Sequence, residues 1–192
     1  PAPVLTGVQA NGRLDVAQWL TKQFNLTADD ARGRDIEALR LSCAYGHLDV
    51  VQWLVEKFGL TADNARANDN EALRFSCFDG HLAVAQWLVE RFGFTADDAR
   101  ARYNELLRES CYEGHLAVAQ WLTKHFGLTA RDARSMDNAA LRWSCSAGYL
   151  DIAQWLVDHF GLTADGARAG DSHSLVGSRN DVVLHRRTVG AA

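Results

Sequence analysis

The sequence has little of what marks several classes of protein. Its two prolines lie at positions 1 and 3, so no proline interrupts a helix in the rest of the chain. It contains no run of about 18 apolar residues, and its first residues lack the basic and long apolar regions of a secretory signal. Its formal net charge is -4, which gives no positive excess to attract nucleic acid. We therefore expect neither a membrane span nor a nucleic-acid partner.

A ten-residue motif recurs along the chain at a fixed interval. Its clearest copy is residues 80–89, Gly-His-Leu-Ala-Val-Ala-Gln-Trp-Leu-Val. The tryptophan of the motif falls every 34 residues, at Trp19, Trp53, Trp87, Trp121 and Trp155. Such a period indicates a solenoid of stacked repeats. We expect one solenoid domain, with a degenerate repeat at 1–34, full repeats at 35–68, 69–102, 103–136 and 137–170, and a partial repeat with a tail at 171–192.

Cysteine is scarce and follows the same period. The chain has four cysteines, one per full repeat, at Cys43, Cys77, Cys111 and Cys145. Equivalent positions on packed helices lie about 8–10 Å apart, whereas a disulfide requires Cα atoms within about 7 Å. We therefore expect free thiols, which are typical of a reducing compartment, and a cytoplasmic location.

Each full repeat is predicted to contain two helices and a short third element. In the third repeat, helix A is expected over about residues 70–78 and helix B over about 82–92. Gly80 and Gly93 follow these helices, where a residue that accepts a left-handed conformation is favoured. The third element, Thr-Ala-Asp-Asp at 95–98, is expected to begin a short helix with its threonine as the capping residue. The predicted fold class is all-α.

The stretch that carries these helices resembles the ankyrin repeat family. Residues 73–90, Leu-Arg-Phe-Ser-Cys-Phe-Asp-Gly-His-Leu-Ala-Val-Ala-Gln-Trp-Leu-Val-Glu, are similar to the family's Pro-Leu-His-x-Ala-Ala-x-x-Gly-His-x-x-Val-Val-x-x-Leu-Leu pattern, and the resemblance spans about residues 4–175. It implies a curved solenoid of helix-turn-helix units. The family's Gly-Ala-Asp-x-Asn hairpin is absent, so the short helix is expected in its place. The tetratricopeptide repeat, also with a period of 34, is the structural alternative.

Two recurrent patterns resemble chemical sites. Cys-x3-His pairs such as Cys77 and His81 resemble metal ligands, but a zinc site needs about four convergent ligands, and the fifth copy has Tyr149 in place of histidine. A serine precedes each cysteine on the side expected to be buried. No Gly-rich phosphate loop or nucleophile elbow accompanies it. We therefore expect no metal, no cofactor and no catalytic residues.

Other columns are expected to build the framework. The tryptophan column is predicted to be the buried spine of the stack, with an upper limit near 5 kcal/mol per copy from about 200 Å² of buried surface. Two arginine columns are expected to bind carbonyls or carboxylates between repeats. The first contains Arg40, Arg74, Arg108 and Arg142, and the second contains Arg32, Arg66, Arg100, Arg134 and Arg168.

The repeats differ mainly at three positions of helix A. These columns read Leu41, Phe75, Glu109, Trp143; then Ala44, Phe78, Tyr112, Ser146; then Tyr45, Asp79, Glu113, Ala147. Their i, i+3, i+4 spacing places them on one helical face. A tightly packed column does not accept leucine, phenylalanine, glutamate and tryptophan in turn. This face is therefore expected to be at least partly exposed, and in ankyrin proteins it forms the concave binding groove.

These columns give the predicted site. The expected partner-binding residues are Leu41, Tyr45, Phe75, Phe78, Asp79, Glu109, Tyr112, Glu113, Trp143 and Ser146. Their aromatic content is typical of a protein interface. We expect a non-catalytic, monomeric scaffold that binds a protein or peptide with apolar anchors and a few basic residues. The alternative is a structural or regulatory segment of a larger protein, whose groove docks its own neighbouring domain.

Overall fold

The computed structural model describes residues 12–163, apart from the side chains of residues 34 and 35. The helices are α1 (Leu14–Gln23), α2 (Ala28–Ala44), α3 (Leu48–Phe58), α4 (Ala62–Ala65), α5 (Ala67–Phe78), α6 (Leu82–Phe92), α7 (Ala96–Tyr112), α8 (Leu116–Phe126), α9 (Ala130–Ala133), α10 (Ser135–Ala147) and α11 (Leu150–Phe160). No strand occurs between residues 12 and 163. The predicted all-α solenoid is thus confirmed. The predicted tail at 171–192 lies outside the described residues.

Helix B of the five repeats is formed by α1, α3, α6, α8 and α11. The prediction for the third repeat is confirmed, because α6 runs from Leu82 to Phe92 and Gly93 follows it with φ +65°. The Gly93 N–H donates to the carbonyl of Val89, which satisfies one of the last carbonyls of the helix. None of the described helices is long and apolar enough to cross a membrane.

A short capped helix stands where the hairpin of the family would be. The backbone N–H of Thr95 donates to the Asp98 carboxylate at 2.8 Å, and the Asp98 N–H donates to the Thr95 hydroxyl at 3.4 Å. This reciprocal capping box recurs at Thr27, Thr61 and Thr129, as the sequence predicts. Each cap contributes about 1 kcal/mol to helix stability. Four strong helix starts are therefore built into the chain at the repeat period.

A left-handed turn, which falls inside the ranges given for α5, α7 and α10, separates the short helix from helix A, and it was not predicted from the sequence. Before helix A of the third repeat, Asn68, Asp69 and Asn70 have φ of 53°, 58° and 62°. The equivalent turns are Arg102, Tyr103, Asn104 and Met136, Asp137, Asn138. This conformation costs most L-residues about 1–2 kcal/mol each, and asparagine and aspartate less. The asparagine at the last position of all three turns was the sequence feature that could have predicted them.

The core is centred on leucine, and the prediction that tryptophan forms the buried spine is wrong. Leu54, Leu88, Leu122 and Leu156, each next to a tryptophan, have no exposed surface. Trp53, Trp87, Trp121 and Trp155 are half-buried, and Trp19 is exposed. The buried positions of α6 are Val84, Ala85, Leu88, Val89 and Phe92, and Trp87 packs against this core only in part. The indole instead meets the edge of a phenylalanine on its own helix, as for Trp87 and Phe92 at 6.0 Å.

In the second to fourth repeats the histidine of the turn packs against the glycine of the preceding repeat, and in the fifth Tyr149 does so. A Cβ atom built on Gly46 would lie 2.4 Å from Nδ1 of His81, and one on Gly80 would lie 2.5 Å from Nδ1 of His115. Nε2 of His81 donates to the carbonyl of Ala44 at 3.0 Å, because a carbonyl only accepts. Burial lowers the pKa of His115, which favours the neutral ring. The turn histidines are therefore contacts between repeats.

Three members of one arginine column, Arg66, Arg100 and Arg134, join a short helix to the end of the next helix B, as predicted, whereas Arg32 pairs with Asp29 of its own helix and Arg168 lies outside the described residues. Arg66 donates to the carbonyls of Phe92 and Gly93 at 3.2 and 2.9 Å. Arg100 repeats this contact with the carbonyl of Gly127 at 3.3 Å. Cations suit the negative end of the helix dipole, and the last carbonyls of a helix need donors. The column therefore caps helix B from the preceding repeat.

Asp132 lies at one of these junctions and is almost fully buried. Its carboxylate accepts from the backbone N–H of Thr129 at 2.8 Å and from Nε of Arg100 at 3.0 Å. Burial raises the pKa of Asp132, but these hydrogen bonds together outweigh it and hold the pKa below its usual value. The ionised carboxylate therefore stabilises the folded state.

Candidate functional site

The ten predicted site residues form what we call the variable strip. It consists of Leu41, Tyr45, Phe75, Phe78, Asp79, Glu109, Tyr112, Glu113, Trp143 and Ser146. They lie near the ends of α2, α5, α7 and α10, and each of these helices packs against the next. None of the ten is buried: Tyr45 and Ser146 are exposed and the others are half-buried. By contrast, the serine and cysteine columns on the opposite side of the same helices are buried in the second to fourth repeats.

Part of the strip is a contact between aromatic rings of adjacent repeats. The rings of Tyr112 and Trp143 meet edge to face, with centroids 5.9 Å apart. The guanidinium of Arg108 lies over the Trp143 ring at 5.0 Å, and that of Arg40 lies over Phe75 at 5.8 Å. Both arginines belong to the framework column, so the rings rest on constant residues.

The first arginine column pairs across repeats, as predicted, except where its partner is missing. Arg74 contacts the Glu105 carboxylate at 2.7 Å, and Arg40 makes the same pair with Glu71 at 3.2 Å. The equivalent position in the fifth repeat is alanine, so Arg108 has no carboxylate there. Arg108 donates instead to the carbonyls of residues 103 and 102 at 2.9 and 3.2 Å. Only 6% of Arg108 is exposed, and burial lowers its pKa. The positive charges of Arg40, Arg74 and Arg108 are therefore already bound by other groups of the protein.

Glu109 is a half-buried carboxyl in the middle of the strip. Burial raises its pKa to about 7, and the nearby Glu105 and Glu113 carboxylates act in the same direction. The charges of Arg108 and Arg74 oppose this shift. Among the described residues, no side chain or backbone group donates a hydrogen bond to the Glu109 carboxyl. Glu109 therefore gains or loses a proton near neutral pH.

The residues that resemble metal ligands or nucleophiles serve the framework. Cys43, Cys77 and Cys111 are buried, and burial raises the pKa of Cys77 to about 12, whereas a metal binds the thiolate. Ser110 Oγ donates to the carbonyl of Leu106 at 2.7 Å. Within residues 12–163 no three His, Cys, Asp or Glu side chains converge as a metal site. The buried columns are therefore structural where the structure describes them.

Two exposed apolar residues next to the strip were missed by the sequence analysis. Tyr103 is 73% exposed and Met136 is 50% exposed, and both lie in left-handed turns. The turns touch, because Ser135 Oγ donates to the carbonyl of Tyr103 at 2.8 Å. The same carbonyl accepts from Arg108, whose guanidinium lies over Trp143. The Met136 column varies between repeats, with Asn68 and Arg102, whereas Tyr103 replaces an aspartate that the other full repeats share.

The comparisons with known proteins agree with the geometry of the repeats. A family model for ankyrin repeats in three copies matches residues 6–99. The chain matches no curated protein. Beyond residue 99, α8 to α11 repeat the helices, caps and glycine ends of the matched part. The pair of long helices that is typical of a tetratricopeptide repeat does not occur in these helices. Ankyrin repeats generally mediate protein–protein interaction and are generally not enzymes. Residues 6–99 of this chain therefore belong to the ankyrin repeat family.

Proposed function

We propose that the protein is a non-catalytic, monomeric scaffold that binds a partner protein or peptide along the variable strip. One observation carries the proposal. The positions that differ between repeats are half-buried or exposed, while the constant positions of the same helices are packed between repeats. A framework held by capping boxes, histidine contacts and arginine columns thus presents a face whose chemistry changes along its length. Large apolar side chains on such a face are typical of interaction sites.

The chemistry of the strip supports a particular kind of partner. Its aromatic side chains, Phe75, Phe78, Tyr112 and Trp143, suit apolar anchors. Its charged members are Asp79, Glu109 and Glu113, all acidic. The neighbouring framework arginines are engaged with glutamates or carbonyls and add little positive charge at the surface. A partner segment with apolar anchors and a few basic residues is therefore complementary. The buried free thiols suit a reducing compartment such as the cytoplasm.

Site-specific photo-crosslinking tests the location of binding. A photoreactive phenylalanine analogue is placed at Phe78 on the strip and, in a control protein, at Glu90, which is exposed on helix B. Both positions tolerate the analogue because neither is in the core. We expect the partner to be crosslinked from Phe78 and not from Glu90. Crosslinks from Glu90 alone would place binding on the other side of the repeats and contradict the proposal.

Light scattering tests the stoichiometry. The free protein is expected to have the mass of one chain, 21.2 kDa. A stable dimer that dissociates when strip residues are replaced would show that the strip binds a second copy of the chain and not a different partner.

A further inference from the structure

The centre of the variable strip differs chemically from its ends. Column by column, Glu109 occupies the place of Leu41, Phe75 and Trp143 in the other repeats, so a carboxyl stands where the other copies have an apolar side chain. Phe75 precedes it in the stack, and Trp143 follows it. Glu109 is three residues before Tyr112 and four before Glu113, so all three share one face of α7. The Tyr112 ring meets Trp143 at 5.9 Å, which places an aromatic pair beside this acidic position.

The protein itself supplies little to stabilise the ionised Glu109. The carboxyl is half-buried, and no hydrogen bond to it occurs among the described residues. Arg74 is engaged with the Glu105 carboxylate at 2.7 Å. Arg108 directs its Nε and Nη2 atoms to backbone carbonyls. A partly desolvated carboxylate without donors is unfavourable, and a donor from outside would relieve it.

The charges around Glu109 come from the helices that pack together at this point. On α7 they are Glu105, Arg108 and Glu113, and from α5 Arg74 acts on it. On α10 the charged residue beside Trp143 is Arg142, a member of the same framework arginine column. The arginines of this column that face Glu109 are already bound, so the surface at this point is acidic and aromatic. Such a surface attracts a cation by charge and through the Tyr112 ring, since the Arg108 guanidinium already lies over Trp143.

We propose that Glu109 and Glu113, together with the ring of Tyr112, form the acceptor for a single lysine or arginine side chain of the partner. The inference rests on the proposed function, and it adds which residue of this chain selects the partner and what that residue recognises. Apolar anchors then occupy the strip on either side, against Phe75 and Trp143. Exchange of Glu109 for leucine, as in the second repeat, converts the acceptor into an apolar position.

Peptide selection with matched variants tests the proposal. The probe is a phage-displayed library of random dodecapeptides, selected in parallel on the wild type, on Glu109→Gln and on Glu109→Leu. Wild-type peptides are expected to carry lysine or arginine at one fixed position between apolar residues, and Glu109→Leu is expected to select an apolar residue there. A wild-type peptide should bind Glu109→Gln at least tenfold more weakly, while the helix B control Glu90→Gln leaves its affinity unchanged.

The pH dependence of binding is the second readout. Binding requires ionised Glu109, whose pKa is about 7, so about nine tenths of it is ionised at pH 8 and about one tenth at pH 6. Affinity for the peptide should therefore fall about tenfold from pH 8 to pH 6. A lysine on the peptide stays protonated throughout this range. The dependence should disappear in Glu109→Gln, which cannot titrate at this position.

The outcomes separate the inference from the function on which it rests. Peptides that require Phe75 and Trp143 but show no basic residue, or that bind Glu109→Gln equally well, would overturn the inference and leave the scaffold function standing. A selection that yields no peptide dependent on strip residues would contradict both. Thermal melts of every variant by circular dichroism accompany the binding data, and a variant that unfolds is replaced by Glu109→Phe, the residue type of the third repeat.

Discussion

Replacement of Gly46 by alanine tests how adjacent repeats are held together, because Gly46 is constrained in two separate ways. Its φ is +76°, in the region that disfavours residues with a side chain. Its missing Cβ leaves room for the ring of His81, whose Nδ1 would lie only 2.4 Å from an added Cβ. The His81 ring would have to move, and its hydrogen bond to the carbonyl of Ala44 would be lost.

The magnitude follows from these two contributions. An alanine in the left-handed conformation costs about 1–2 kcal/mol. Loss of the hydrogen bond, with its carbonyl left partly buried, adds about 1–3 kcal/mol. We expect Gly46→Ala to lower the free energy of unfolding by about 2–5 kcal/mol. Gly59 is the matched control, because it has φ +60° and nothing within 4 Å of its added Cβ. Gly59→Ala should show only the conformational cost.

Urea unfolding monitored by circular dichroism and tryptophan fluorescence provides the measurement. A double-mutant cycle with His81→Ala isolates the contact, because without the ring Gly46→Ala should cost no more than Gly59→Ala. The expected coupling energy is about 1–3 kcal/mol. Equal costs for the two glycine substitutions in the wild-type background, or a coupling energy of zero, would refute the conclusion that the histidine–glycine contact holds the repeats together.

Three further predictions concern stability and are checked by the same unfolding measurement. Leu88→Ala should cost about 2–5 kcal/mol and more than Trp87→Ala, because Leu88 is fully buried and Trp87 only half-buried; the reverse order would restore tryptophan as the spine. Tyr103→Asp should raise the free energy of unfolding by about 1 kcal/mol, since aspartate occupies the same left-handed position in the repeats on either side; a loss of stability would show that the ring is a packing residue. The pKa of Asp132 is lowered by folding, so its stabilisation is complete above the unfolded pKa of about 3.9 and disappears as pH falls through the lower folded value. The stability difference between the wild type and Asp132→Asn should therefore shrink below about pH 4, and a difference that is constant with pH would contradict the assigned ion pair.

The sequence was sufficient for the parts of the fold that local rules determine. Helix B ends at Gly93 and the short helix begins at Thr95, since glycine and threonine have strong preferences at helix ends. The left-handed turns were not predictable in the same way, because Tyr103 and Met136 disfavour that conformation. The burial of Trp87 was overestimated, because the periodicity shows two adjacent apolar residues without showing which one points inward.

Contacts between repeats were predictable only in kind. Arginine columns were expected to bind carbonyls or carboxylates between repeats, and members such as Arg66 and Arg74 do so. That Arg108 would turn to carbonyls depends on an alanine 31 residues later, in another helix, at Ala139. The perturbed Glu109 depends likewise on burial by neighbouring helices. The variable strip was found from the differences between repeats, and its role in binding stays a prediction.

The most direct test of the account is a paired measurement of affinity and stability on a strip variant. In Phe75→Leu/Tyr112→Ala/Trp143→Leu every new residue already occurs in the same column, at Leu41 and Ala44, so the framework accepts it. Isothermal titration calorimetry with a partner identified by crosslinking from the strip should show that the variant binds it at least a hundredfold more weakly than the wild type does. The thermal midpoint of unfolding should stay within a few degrees of the wild type. Unchanged affinity in this variant would contradict the claim that the variable strip is the binding site.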